Sequence, residues 1–225
     1  MTAEKVAISL PDGTATAGLL KAGDDPAACV VLAHGAGAGM QHPFMSAVAS
    51  GLSDRGIATL RFDFPYMHRG AKVPDRPPIA QTAVRAAVEL AGMRLPSVPR
   101  FAGGKSFGGR MTSEVQAEAP LPGVRGLVFL GFPLHPAGKP SKSRAEHLTR
   151  VGIPMLFVQG SRDTLADIDL LRPVVADLRP LGTLVEIEAA DHSFHVPAKS
   201  GRTDAQVLAE MLDAVADWIT RLAVS

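Results

Sequence analysis

The chain has 225 residues, 46% of them hydrophobic and 20% charged, and a net charge of +1. That composition belongs to a folded globular protein, expected here as one domain over residues 1–225, and it excludes a disordered chain. The near-neutral balance excludes a basic footprint for nucleic acid or an anionic membrane, and the single cysteine, Cys29, excludes an internal disulfide.

The opening residues, MTAEKVAISLPDG, lack the apolar stretch of a signal peptide, and no later run has the roughly 18 apolar residues of a membrane span. The expectation is a cytoplasmic monomer or homo-oligomer. EKVAISL and TATAGLLKA flank the turn signal PDG and predict an antiparallel hairpin. ACVVLAHG follows as a continuous apolar run, the pattern of a strand buried on both faces. HPFMSAVASGLSDRG has helical spacing and ends at Gly56; IATLRFDFP is the next strand. The Pro-rich stretch AKVPDRPP reads as a surface loop before the helix IAQTAVRAAVELAGMRL. RFAGG is a short strand, RMTSEVQAEA a helix, and VRGLVFLGFP and IPMLFVQG two further buried strands. Between these two, LHPAGKPSKSRAEHLTRVG has room for a loop and one short helix, so no large lid is expected. LADIDLLRPVVADL is helical with Pro173 kinking or interrupting it, GTLVEIEAA is the last strand, and DAQVLAEMLDAVADWITRLA closes the chain as an amphipathic helix. Alternating strands and helices define an α/β fold, a mostly parallel sheet with helices on both faces.

FAGGKSFGG matches two motifs. GKS could end a phosphate-binding loop, but the leading glycine of that motif falls at Pro99, which has no N–H to offer a phosphate. The stretch Gly104-Lys105-Ser106-Phe107-Gly108 is a complete G-x-S-x-G turn, which presents a serine between a strand and a helix. A serine nucleophile needs a base, an orienting acid and N–H donors for an oxyanion. In a doubly wound sheet all of these belong on loops at the carboxyl ends of strands. Asp163 follows IPMLFVQG directly; Asp167 is the alternative, placed in the following helix. His192 follows GTLVEIEAA in DHSFH, ahead of the alternative His195; Asp191, adjacent to His192, is a poor orienting partner. AHGAGAG lies after the first buried strand, and the N–H groups of Ala36 and Phe107 are the expected oxyanion donors, with His34 bracing the loop. Gly35, Lys105, Tyr66 and His68 are expected around the substrate, and Lys139, Lys142 and Arg144 form either a solvated basic loop or a preference for anionic acyl groups.

AHGAGAG, TLRFDFPY, GGKSFGGR, GSRD and DHSF together resemble the α/β-hydrolase superfamily over nearly the full length, and its small lidless KANL-/Tex-like branch, similar in size to dienelactone hydrolases. The resemblance implies an eight-stranded sheet whose second strand is antiparallel, a triad of Ser106, Asp163 and His192, and no cofactor or metal. Dienelactone hydrolases use a cysteine nucleophile, whereas Ser106 stands at that position and Cys29 lies within a strand, so their specific activity is not carried over. The expected function is hydrolysis of a small-molecule acyl substrate; the rival is a non-catalytic binding or scaffold protein on the same fold.

Overall fold

The structure, a computed structural model, describes residues 2–224. Its eight strands are β1 (Glu4–Ser9), β2 (Ala15–Lys21), β3 (Ala28–Ala33), β4 (Ile57–Phe62), β5 (Arg100–Lys105), β6 (Val124–Leu130), β7 (Met155–Gly160) and β8 (Gly182–Ile187). They form one sheet in the order β1-β2-β4-β3-β5-β6-β7-β8. β1 pairs antiparallel with β2 and β2 antiparallel with β4; every later pairing is parallel. All residues of β3, β4 and β7 are buried, which explains their unbroken or nearly unbroken apolar sequences.

The helices are α1 (Pro43–Ser53), α2 (Pro65–His68), α3 (Pro77–Arg94), α4 (Phe107–Glu118), α5 (Ile168–Asp177) and α6 (Asp204–Ala223). Two separate cores cover the faces of the sheet. Residues of α1 and α6, among them Met45, Leu52, Met211 and Trp218, pack on one face; α3, α4 and α5 contribute Val84, Val88, Met111 and Leu171 to the other. The chain crosses from one face to the other around β3, which has β4 on one side and β5 on the other. That reversal of strand order opens a crevice at the carboxyl edge, the usual ligand site of such sheets.

Boundaries differ from the sequence expectation where side chains cap helices. Asp167 caps α5 by accepting from the Asp169 N–H, so Leu165–Asp167 lie outside the helix. α5 continues past Pro173 to Asp177 instead of breaking there. α4 starts at Phe107, three residues earlier than the apolar spacing indicates, because Ser106 is already its flanking residue. The four-residue α2 and a short 3₁₀ turn, Ala198–Ser200, carry no periodic signal. Between β6 and β7 the single element is a 3₁₀ helix, Ser143–Arg150, and no large lid is present among the described residues. No described helix is long and apolar enough to cross a membrane.

Candidate active site

β5 ends at Lys105 and α4 begins at Phe107, so Ser106 alone makes the turn. Its backbone has φ +50° and ψ −116°, a region that costs a side-chain-bearing residue about 1–3 kcal/mol. Glycine on both sides makes the turn possible. A Cβ at Gly104 would stand 2.0 Å from the Ala33 carbonyl oxygen, and one at Gly108 would stand 2.4 Å from the same atom. β3, β5 and α4 therefore meet backbone to backbone, and the serine is lifted to the carboxyl edge. The Phe107 N–H is the first of α4, one of the donors that a helix leaves unsatisfied at its N-terminus.

Two other loops at that edge bring their polar groups to the serine. Ser106 Oγ lies 2.9 Å from His192 Nε2, and His192 Nδ1 lies 2.6 Å from Asp163 Oδ2. A carboxylate only accepts, so Nδ1 carries the proton and Nε2 is left as the acceptor for the serine hydroxyl. The Asp163 carboxylate is wholly buried. It is satisfied by three donors: His192, the Gln159 Nε2 amide at 2.5 Å and the Leu165 N–H at 2.7 Å. A buried charge without such partners would cost several kcal/mol. Gln159 escaped the sequence reading, yet it left a signal there: it is the one strongly polar residue in IPMLFVQG.

The two alternatives of the sequence reading are engaged elsewhere. Asp167 caps α5, and its own N–H donates to His135 Nε2. His195 is exposed and bonds Asp204 through Nδ1, at 2.8 Å from Oδ2. Asp191 accepts from the Ser193 and His195 N–H groups and so shapes the loop. Phe194 closes this loop with φ +63°, buried and stacked on Phe44 at 5.8 Å.

The loop after β3 is braced on several sides. His34 is fully buried; its Nε2 accepts from the Phe64 N–H, which makes Nδ1 the donor to the Gly35 carbonyl oxygen at 2.7 Å. Burial holds its pKa below the ordinary value, so the ring stays neutral. The Met40 N–H donates to Asp63 Oδ1, the Met40 carbonyl accepts from Arg61, and the Gly37 N–H donates to the Tyr66 hydroxyl. Ala36 is left exposed at the tip, beside Ser106.

A cavity of about 370 Å³ opens over the serine. Gly35, Ala36, Lys105, Ser106 and His192 line it, together with Phe44, Met45 and Leu165, which give it apolar walls that the sequence reading did not name. Tyr66 and His68 do not line it. Tyr66 is buried, with its hydroxyl spent on the Gly37 N–H, and His68 is exposed at the end of α2. Tyr66 therefore supports the glycine loop from behind. Lys139 and Lys142 are exposed and Arg144 is half-buried; none of the three lines the cavity. Cys29 is buried in β3, where dehydration pushes its thiol up to about 12. Among the described residues no cluster of side chains is suited to hold a metal ion.

A strand-to-helix serine turn on an eight-stranded, mostly parallel sheet defines a class of protein, the α/β hydrolases. The chain belongs to the alpha/beta hydrolase domain family, which matches residues 26–220. Solved structures of similar fold cover almost its whole length. A dienelactone hydrolase from Anabaena variabilis superposes with a TM-score of 0.77 at 20% identity, covering 98% of both chains. A lidless serine hydrolase from Xanthomonas campestris gives 0.72 at 21% identity, covering 97% of this chain and 95% of that one. The esterase domain of a Rhodothermus marinus protein gives 0.76 at 18% identity, covering 99% and 100%.

Proposed function

We propose that the protein is a serine hydrolase of carboxylic esters, thioesters or related small acyl substrates. The observation that carries this reading is the unbroken chain from Ser106 Oγ through His192 to buried Asp163 at 2.9 and 2.6 Å. Ser106 Oγ attacks the acyl carbon while His192 Nε2 takes its proton, and Asp163 stabilises the imidazolium that forms. The N–H groups of Ala36 and Phe107 receive the oxyanion. The tetrahedral species then expels its leaving group, which collects the proton from His192. Water, deprotonated by the same imidazole, attacks the acyl-enzyme; the Ser106 Oγ–acyl bond breaks, Oγ takes the proton back from His192, and a carboxylic acid is released. Membership of the hydrolase family and the lidless and esterase relatives support this chemistry. The apolar walls of Phe44, Met45 and Leu165 suit the hydrocarbon part of an acyl group.

A fluorophosphonate probe tests it. The wild-type protein should be labelled once, at Ser106, and Ser106→Ala should remove both the label and the hydrolysis of an activated ester. Labelling that persists in the Ala variant would assign the nucleophile elsewhere, and no labelling of the wild type would favour the binding or scaffold reading.

A further inference from the structure

Lys105 precedes Ser106, and its side chain turns toward the β8–α6 connection. Nζ donates to the His192 backbone carbonyl over 2.6 Å and lies 5.5 Å from the centroid of the Phe194 ring. Position 131, just past β6, is glycine, and a Cβ there would stand 2.9 Å from Nζ, so a side chain at that position would push against the amine. One cation thus grips both the residue that bears the imidazole and the aromatic anchor two positions on. Its partners are a carbonyl and a π face, each of which favours the charged amine.

From these contacts we infer that Lys105 is a positioning residue: its ammonium clamps the loop carrying His192 and keeps the imidazole aligned between Ser106 and Asp163. The kinetic consequence rests on the serine-hydrolase reading above; the clamp itself is a property of the loop. Burial pushes the Lys105 amine down to about 8, against the pull of Asp163 and Asp191. These carboxylates face it from the β7–α5 and β8–α6 connections, and the imidazoles of His192 and His42 share the cavity with it. Loss of the proton removes the cation from the Phe194 ring and weakens the bond to the His192 carbonyl. The clamp therefore loosens as pH rises through about 8.

Lys105→Met keeps the apolar stem and removes the charge. Its kcat should fall about ten- to hundredfold, the scale of a small misplacement of a reacting group, with KM within about twofold of wild type. Wild-type kcat should decline above about pH 8, and the Met variant should show no such limb. Lys105→Cys treated with bromoethylamine restores an amine on a side chain of equal length, with sulfur in place of Cγ. It should recover most of the activity, and its decline should move to lower pH because the thioether makes the amine less basic. Cys29, fully buried, escapes the reagent. Hydrogen exchange reads the clamp without catalysis: the amides of residues 190–196 should exchange about tenfold faster in Lys105→Met at fixed pH. A raised KM with unchanged kcat would make Lys105 a substrate contact and overturn the inference. Unchanged exchange would overturn it even if activity were lost. A wild-type protein that hydrolyses no ester would count against the serine-hydrolase reading alone, and the exchange comparison would still decide the clamp.

Discussion

Asp163 keeps its carboxylate buried, and its hydrogen bonds divide into those that hold it and the one that acts on His192. The Leu165 N–H and the Gln159 amide fix the carboxylate, and the carboxylate fixes the His192 tautomer. Asp163→Asn keeps the shape but can present an amide N–H to Nδ1, which moves the ring proton to Nε2, where it blocks transfer from Ser106. Steady-state assays should show kcat lowered by about 10⁴, the loss produced by the same change in trypsin-type enzymes. Asp191→Asn alters the hydrogen bonds to the Ser193 and His195 N–H groups and removes a charge facing Lys105, and should cost less than about tenfold. The opposite ranking would reassign the acid. Ser106, Asp163 and His192 could be picked out in the sequence because each is the first suitable side chain after a strand. Tyr66 and His68, also expected around the substrate, lie away from the cavity for a related reason. They follow β4 closely, but α2 turns Tyr66 inward to the Gly37 N–H and leaves His68 in solvent, a fold-back of four residues with no periodicity to announce it.

The element that delivers His192 is a loop, and its far end is tied to α6. Thr203 and Gln206 form a reciprocal capping box at the start of that helix, and Asp204 accepts from the His195 ring and the Val196 N–H. The hydrogen bond to Asp204 raises the His195 pKa above its ordinary 6.5, and the same contact lowers Asp204 below 3.8. For the histidine, the stabilisation is complete below 6.5 and is lost as pH rises through the raised folded value; for the aspartate, it is present above 3.8 and lost as pH falls through the lowered one. The pair thus supports the loop in mildly acidic solution. His195→Ala should lower Tm relative to wild type near pH 5.5, the gap should close by about pH 9, and ester hydrolysis at neutral pH should stay near wild type. Thermal melts at the two pH values check this, and an equal gap at both would break the link to the ion pair. DHSFH showed two histidines in sequence, but it did not show that the second faces α6, because that contact depends on the positive φ of Phe194 and on a helix nine residues downstream.

At the scale of the molecule, alternating strands and helices were readable because parallel strands buried on both faces need nearly continuous apolar runs. The exchange of β3 and β4 in the sheet order is not local, and no spacing in the sequence carries it. It matters because it opens the crevice in which the β3 loop meets the serine turn. What covers that crevice is set between β6 and β7, where a hydrolase of this architecture has space for a mobile cover. Here the segment is pinned to the body. Ala145 and Leu148 of its 3₁₀ helix are buried in the core beneath α4, His147 Nε2 lies 2.7 Å from Ser113 Oγ, and the Gln116 amide donates to the Val151 carbonyl. Lifting it would expose two apolar side chains and strand buried polar groups, at a cost of several kcal/mol. The cavity over Ser106 should therefore be open in water without an interface to open it. Hydrolysis of a sparingly soluble short-chain ester should follow a simple hyperbola through its solubility limit, with no jump in rate when droplets form. Initial rates measured across that limit, with and without added vesicles, check this. A sharp rise at the limit would mean that the β6–β7 segment, or another part of the fold, moves as a lid after all.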